Sequence, residues 1–451
     1  MKDVTFLSES LKKLLRRGAT THLQNMLAKV RPADLAEAFK TLDEGDRNAA
    51  FRMLVERAVP SAAGLMQEIH PSLRADLLRG LSPEDLARIL QEVPSDDVAG
   101  IIADHPEEER SRILALMQRE ASEEVQDLLE YADETAGRIM TTRFLALDDT
   151  TTVQQAIAAV QKAGEAEMVF YVYVTDEHGR LEGVLSLRRL LTVPPATILK
   201  DIMSTDVISV HAETDQEEVA RIASRYDLLG VPVVDAENVL VGIVTIDDLI
   251  DVLREEATED FYKLAGTSDE ERLVKSTLSA ARVRLPWLFA AFAGGLLMAL
   301  LIKAYAPLLS QATVIACFIP VVLGMGGNIG TQASTIMVRG LATGRISLLQ
   351  AGGVVFREIR IALLLGIIYG ALLGVAAILL VKMSPMAGVW VGFSLLASMT
   401  MAAVIGAMLP VVLKTMHIDP AVVTSPFVTT AVDLVGLLAF FGLAGRHLIS
   451  G

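Results

Sequence analysis

The chain has 451 residues, of which 52% are hydrophobic and 21% charged, and its formal net charge is −15. That length allows two or three domains, and the composition is too apolar for an ordinary soluble protein and too acidic for a nucleic-acid partner. The single cysteine, Cys317, excludes a disulfide framework and a thiol metal cluster, and its place in an apolar run predicts a small buried side chain.

The opening stretch, "MKDVTFLSESLKKLLRRG", has no long apolar core followed by a small-residue cleavage site, so no signal peptide is read and the N-terminal half is expected in the cytosol. Residues 1–130 repeat a helix-start signature: "RPADLAEAF" at 31, "SPEDLARIL" at 82, "PSDDVAGII" at 94 and "HPEEERSRIL" at 105. Ser82 is a natural cap, Pro83 suits a first turn, and Asp85 brings negative charge to the positive end of the helix dipole. Short stacked helices, an all-α superhelix, are predicted here.

A duplication follows. "RIMTTRFLALDDTTTVQQAIAAV" reappears 63 residues later as "DIMSTDVISVHAETDQEEVARIA", and "VYVTDEHGRLEGVLSLRRLL" 59 residues later as "VPVVDAENVLVGIVTIDDLI". Each copy reads as short strand, helix, two strands joined by a turn, and helix. The pattern resembles a tandem pair of CBS domains, placed at 131–253. In that family a Thr and an Asp three residues later hold an adenine nucleotide; Thr245 and Asp248 fit, whereas the first copy has Ser186 and Arg189. The segment "DDLIDVLREEATED", residues 247–260, then carries seven acids and one base. Such a run is ordinarily a solvated helix face. Here it leads toward the first apolar segment, and acids that repel when bare and draw together around a dication form a bistable element.

From Arg284 onward there are only three acids, Glu358, Asp419 and Asp433, against nine bases, so this part carries +6 and the preceding residues −21. Uncharged stretches at 285–302, 304–338, 361–381, 383–413 and 420–445, the last interrupted by Asp433, predict five transmembrane helices. Arg339, Arg345, Arg357 and Arg360 lie in the second connection, which places it and the amino terminus inside and the carboxyl terminus outside. A carboxylate near the middle of a spanning helix costs a few kcal/mol. It either holds the bundle by an interhelical hydrogen bond or attracts a cation, and no base lies near the middle of any segment to pair with Asp433. In "FIPVVLGMGGNIGTQASTIMVRGLATG", residues 318–344, Gly324, Gly326, Gly327 and Gly330 permit close backbone approach, and Asn328, Thr331, Gln332, Ser334 and Thr335 supply polar groups at membrane depth. Oxygen and amide donors without Cys or His favour a hard, partly hydrated dication such as Mg2+.

Over essentially its whole length the chain resembles MgtE-type magnesium channels, the most specific stretches being "PVVLGMGGNIGTQASTIMVRGLATG" and "DPAVVTSPFVTTAVDLVGLL" at 419–438. The resemblance implies an acidic helical N domain (1–130), tandem CBS domains (131–253), a connecting helix (254–283) and a transmembrane pore domain (284–451). It implies a homodimer in the cell membrane that imports Mg2+ between its two membrane domains and closes when Mg2+ occupies cytosolic sites, with ATP as a further ligand. By matching motif, Asp433 is the pore carboxylate, with Asn328, Thr429, Gln332, Thr331 and Ser425 around it. The regulatory set is Asp97, Gly137, Asp215, Glu217, Asp227, Asp248, Asp251, Glu255, Glu259 and Asp260. The sequence departs from the family's pattern where Thr331 and Ser425 replace asparagines. A coupled secondary transporter of divalent cations is the competing expectation. Enzyme function is not expected, since there is no Ser/His/Asp set, paired-His metal motif or P-loop.

Overall fold

The computed structural model describes residues 2–17, 22, 26–27, 29–103, 105–162, 170–265, 267, 277–311, 313–420 and 426–448. It divides into two compact units, Met1–Arg254 and Glu255–Gly451.

The first unit begins with short helices: α1 (Lys2–Arg16), α2 (Pro32–Lys40), α3 (Glu44–Arg57), α4 (Val59–Glu68), α5 (Pro71–Leu78), α6 (Pro83–Leu90), α7 (Ser95–Ala103), α8 (Glu107–Leu116) and α9 (Arg119–Glu130). Their starts follow the sequence signature. The Ser82 hydroxyl accepts from the Asp85 amide at 3.1 Å, and the Asp43 carboxylate does the same for Asp46 at 2.8 Å. Each helix turns one apolar face inward, and Leu35, Phe39, Phe51, Leu65, Ile89 and Leu90 form one continuous core.

After α10 (Ala136–Ile139) come the two repeats: β1 (Ala146–Asp148), α11 (Val153–Lys162), β2 (Tyr171–Thr175), β3 (Leu181–Ser186) and α12 (Leu187–Leu190), then β4 (Val210–His211), α13 (Gln216–Tyr226), β5 (Gly230–Val234), β6 (Leu240–Thr245) and α14 (Ile246–Leu264). In each sheet the first strand pairs parallel with the second, and the second antiparallel with the third. The opening segment of each copy lies on the sheet of the other. Met140 covers Gly242, where an added Cβ would stand 2.5 Å from its sulfur, and Met203 covers Gly183, where that distance would be 2.4 Å. The 63- and 59-residue spacings are thus the imprint of a pseudo-twofold exchange.

The second unit holds the apolar helices α15 (Thr277–Ala304), α16 (Ala306–Gln311), α17 (Ile319–Ala342), α18 (Ala351–Val381), α19 (Pro385–Thr415) and α20 (Pro426–Leu448). Among the described residues, four helical spans are long and apolar enough to cross a membrane, namely Thr277–Ala304, Val314–Ala342, Ala351–Val381 and Pro385–Thr415, with a shorter apolar helix at Phe427–Leu443. With no hydrophobic drive between helices in lipid, small residues set the packing. A Cβ at Gly370 would lie 2.5 Å from the Gly392 carbonyl oxygen, and one at Gly374 would lie 2.7 Å from that of Gly388, so α18 and α19 meet backbone to backbone. Cys317, expected to be buried, is exposed instead, because the short 3-10 turn Thr313–Phe318 directs Ile315 and Phe318 inward.

Candidate functional site

Asp433 lies on α20, three residues beyond Thr430, whose side chain presses on Gly294 of α15. On its other side is α17: a Cβ at Gly327 would stand 3.6 Å from Asp433 Oδ1. That oxygen is buried, and no described residue offers it a hydrogen bond. Next to it, α17 and α19 cross closely, with a Cβ at Gly406 falling 2.2 Å from the Gly330 carbonyl oxygen. The glycines of α17 therefore bring backbone to within reach of the carboxylate, as the sequence suggested.

The polar residues of α17 separate by face. Asn328, Thr331, Gln332 and Thr335 are all exposed at the i, i+3, i+4, i+7 spacing of a single stripe, whereas Ile329, Ala333 and Met337 are buried. Ser334 is on the buried side, and its hydroxyl has no hydrogen-bond partner among the described residues. Thr429 is exposed one turn before Asp433 on α20. Ser425 lies outside the described residues. A second acid, Glu358, is buried near the start of α18 and is paired with the exposed Arg357 at 3.1 Å.

In the first unit, Asp97 on α7 accepts a hydrogen bond from the Gln67 amide at 2.8 Å and faces Asp247 and Asp251 on α14. Burial pushes its carboxyl above the usual aspartate range; Gln67 and Arg74 oppose this, and Asp251 and Asp247 reinforce it. Two helices far apart in sequence thus hold three carboxylates near one another, one of which, Asp247, belonged to the acidic run without being singled out.

The other regulatory candidates are more dispersed. Gly137 donates its amide to the Ala212 carbonyl at 2.8 Å and must be glycine because the Tyr131 ring lies where a Cβ would point, 2.5 Å away. Asp215 caps α13 by accepting from the Glu217 amide at 2.8 Å, and Asp227 ends that helix in the left-handed conformation with φ of 52°. Asp251 pairs with Arg254 at 3.3 Å. Thr245 donates to the Asp248 carboxylate, which gives the second CBS copy the hydroxyl–acid pair that the sequence identified.

In the second unit, Lys263 near the end of α14 bridges Glu259 at 2.7 Å and Asp419 at 2.9 Å. Burial of the ammonium works against its charge, but the two carboxylates outweigh this and hold Lys263 above the usual lysine range. Burial, then the proximity of Asp419, pushes the Asp260 carboxyl upward. Glu255 begins this unit on the exposed side of the same helix. Asp419 escaped the sequence reading because it stands alone before Pro420, with nothing local to mark its distant partners.

Among the described residues, no three His, Cys, Asp or Glu side chains converge closely enough to form a ready cage for a bare ion.

Residues 30–134 match the MgtE intracellular N domain, 136–195 and 199–255 the CBS domain, and 319–443 the MgtE family described as divalent cation transporters. The chain is 38% identical over 339 residues to the magnesium transporter MgtE of Enterococcus faecalis, an alignment covering 73% of this chain and 72% of that one. It is 39% identical over 335 residues to the magnesium transporter MgtE of Thermus thermophilus, covering 73% of each. A crystal structure of the cytosolic domain of the Mg2+ channel MgtE in complex with ATP superposes with a TM-score of 0.51 at 36% identity, covering 54% of this chain and 99% of that one. The relatives are transporters, not enzymes, and the helical cytosolic part, the CBS pair and the apolar helices all correspond: this chain belongs to the MgtE family of magnesium transporters.

Proposed function

We propose that the protein is a magnesium-gated magnesium channel, admitting Mg2+ down its electrochemical gradient and closing when cytosolic Mg2+ occupies the acidic sites. The observation that carries the pore reading is Asp433, a carboxylate at membrane depth whose buried oxygen no described residue satisfies. A polar group left unsatisfied in lipid costs free energy that a passing hydrated cation would recover. The exposed stripe of Asn328, Thr331 and Gln332, with Thr429, faces out of the chain's own bundle and would be costly against lipid. A second copy presenting the same stripe would enclose an aqueous path, so a homodimer with the pathway at its twofold axis accounts for both features. By the motif correspondence Ser425 joins that lining.

For the gate, Asp97, Asp247 and Asp251 form an element that is repulsive when bare and drawn together by a dication. Glu255, Glu259 and Asp260 in the second unit, and Gly137, Asp215, Glu217, Asp227 and Asp248 in the first, complete the regulatory set by motif correspondence. Mg2+ bound there would neutralise the carboxylates; the residues themselves supply the strain that its binding relieves. ATP would use Thr245 and Asp248, as supported by the pair's hydrogen bond and by the ATP complex of the relative's cytosolic domain. The functional divisions of this reading are 1–130, 131–253, 254–283 and 284–451, and the arginines of the second connection support an amino terminus on the cytosolic side of the cell membrane and a carboxyl terminus outside.

The test is Mg2+ flux into proteoliposomes at low and high Mg2+ on the cytosolic face, comparing the parent, Asp433→Ala and a chain lacking residues 1–130. Conduction by the parent at low Mg2+ alone, loss of flux in Asp433→Ala and ungated flux in the truncation are expected. Flux strictly tied to a proton or sodium gradient would replace the channel by a coupled transporter. Unchanged flux in Asp433→Ala would refute the pore assignment.

A further inference from the structure

Three hydroxyl residues lie along one stretch of α19: Ser394, Ser398 and Thr400. Two of them satisfy themselves on their own helix in the manner usual for membrane helices, Ser394 donating to the Trp390 carbonyl at 2.7 Å and Thr400 to that of Leu396 at 2.8 Å. Ser398 does otherwise. Fully buried, it donates across to the Gly436 carbonyl of α20 at 2.5 Å. The two helices are in ordinary contact here, a Cβ at Gly436 lying 3.9 Å from the Ser398 Cβ.

Gly436 is three residues beyond Asp433, about 4.5 Å along the helix axis. Elsewhere α20 packs through the apolar Val428, Val432, Leu437, Phe440 and Phe441 and sets Thr430 against Gly294. Such contacts resist separation but tolerate a small rotation or slide, whereas a hydrogen bond to one carbonyl fixes both. We infer that Ser398 is a positioning residue for the ion pathway, setting the rotation and height of α20 so that Asp433 faces Gly327. The inference rests on Asp433 being the pore carboxylate.

The test uses the full-length protein in proteoliposomes and reads half-saturating Mg2+, the Mg2+/Ca2+ flux ratio and thermal stability. Ser398→Ala is expected to raise half-saturating Mg2+ about three- to tenfold, the range open to one interhelical hydroxyl bond, and to lower the Mg2+/Ca2+ ratio. Ser394→Ala removes an equally buried hydroxyl whose bond stays within its helix and is expected to match the parent in both readouts. Ser398→Thr, which restores the hydroxyl, should move the values back toward the parent. If the alanine variant cannot be purified, Ser398→Cys keeps the shape with a weaker donor and reads the same quantities. Ser398→Ala behaving like Ser394→Ala in half-saturation and selectivity would overturn the inference. Asp433→Ala, measured alongside, separates the two failures: unchanged flux there removes the pore reading, whereas loss of flux there with a parent-like Ser398→Ala removes only the positioning role.

Discussion

Replacing Gly406 by alanine should separate two helices that meet backbone to backbone beside Asp433. The new Cβ would lie 2.2 Å from the Gly330 carbonyl oxygen, 2.8 Å from its carbon and 2.9 Å from its Cα. These are backbone atoms of a helix and cannot rotate away. A carbon needs about 3.3 Å from a carbonyl oxygen, so α17 and α19 must part locally by about 1 Å. Overpacking of this kind costs about 1–3 kcal/mol, a loss of about fivefold to 150-fold in the ratio of native to disrupted protein. Gly327→Ala is the matched comparison: its Cβ would meet Asp433 Oδ1 at an ordinary 3.6 Å, so the fold should tolerate it while the methyl takes up space beside the carboxylate that a hydrated cation would use. Thermal stability of purified protein, followed by size-exclusion chromatography after heating, should fall for Gly406→Ala and stay near the parent for Gly327→Ala. Mg2+ flux should fall in both. Equal stabilities for the two variants would show that the close crossing of α17 and α19 does not limit the fold, and the packing argument would fail.

Two further outcomes are expected on the cytosolic side. Because the Asp97 carboxyl is pushed above its ordinary value, it contributes stability at pH below the unfolded aspartate value that is lost as pH rises through its folded value. Asp97→Asn should therefore stabilise the Mg2+-free protein at neutral pH, with no gain in acid. If it also weakens Mg2+ binding about tenfold, the stabilisation gained at a fixed saturating Mg2+ falls by about 1.4 kcal/mol; a thermal scan in which the variant is destabilised without Mg2+ would contradict the repulsion. Lys263→Met removes the cation that bridges Glu259 and Asp419. The bare carboxylates should then attract Mg2+ more strongly, lowering the cytosolic Mg2+ that halves the flux by about threefold at low ionic strength, and a rise instead would mean that the bridge assists closure.

Sequence periodicity reached the fold because it records local geometry. The two repeat spacings foretold the duplicated strand and helix order, and the spans between charges foretold the apolar helices. Asp433 was legible for a related reason, since an isolated acid in an apolar run has few harmless explanations. Ser398 was not legible: a serine in such a run reads the same whether it bonds its own helix, as Ser394 does, or a neighbour. Lys263 and Asp419 are separated by more than 150 residues, and only the tertiary fold joins them. Asp215 has two readings in sequence, because the acid that suits a cation also suits a helix cap, and the structure shows it capping α13.

The packing of α15 bears on how a signal could travel. Its principal neighbour is α20, reached where Gly294 receives Thr430, and most of its large side chains, among them Leu285, Phe289, Phe292 and Leu296, point away from the chain's own bundle. A helix held chiefly along one seam can tilt without dismantling the glycine-locked pair of α18 and α19. On this packing the membrane unit has a tightly joined frame and one loosely joined helix, and the seam of that helix, Gly294 against Thr430, lies one turn from Asp433.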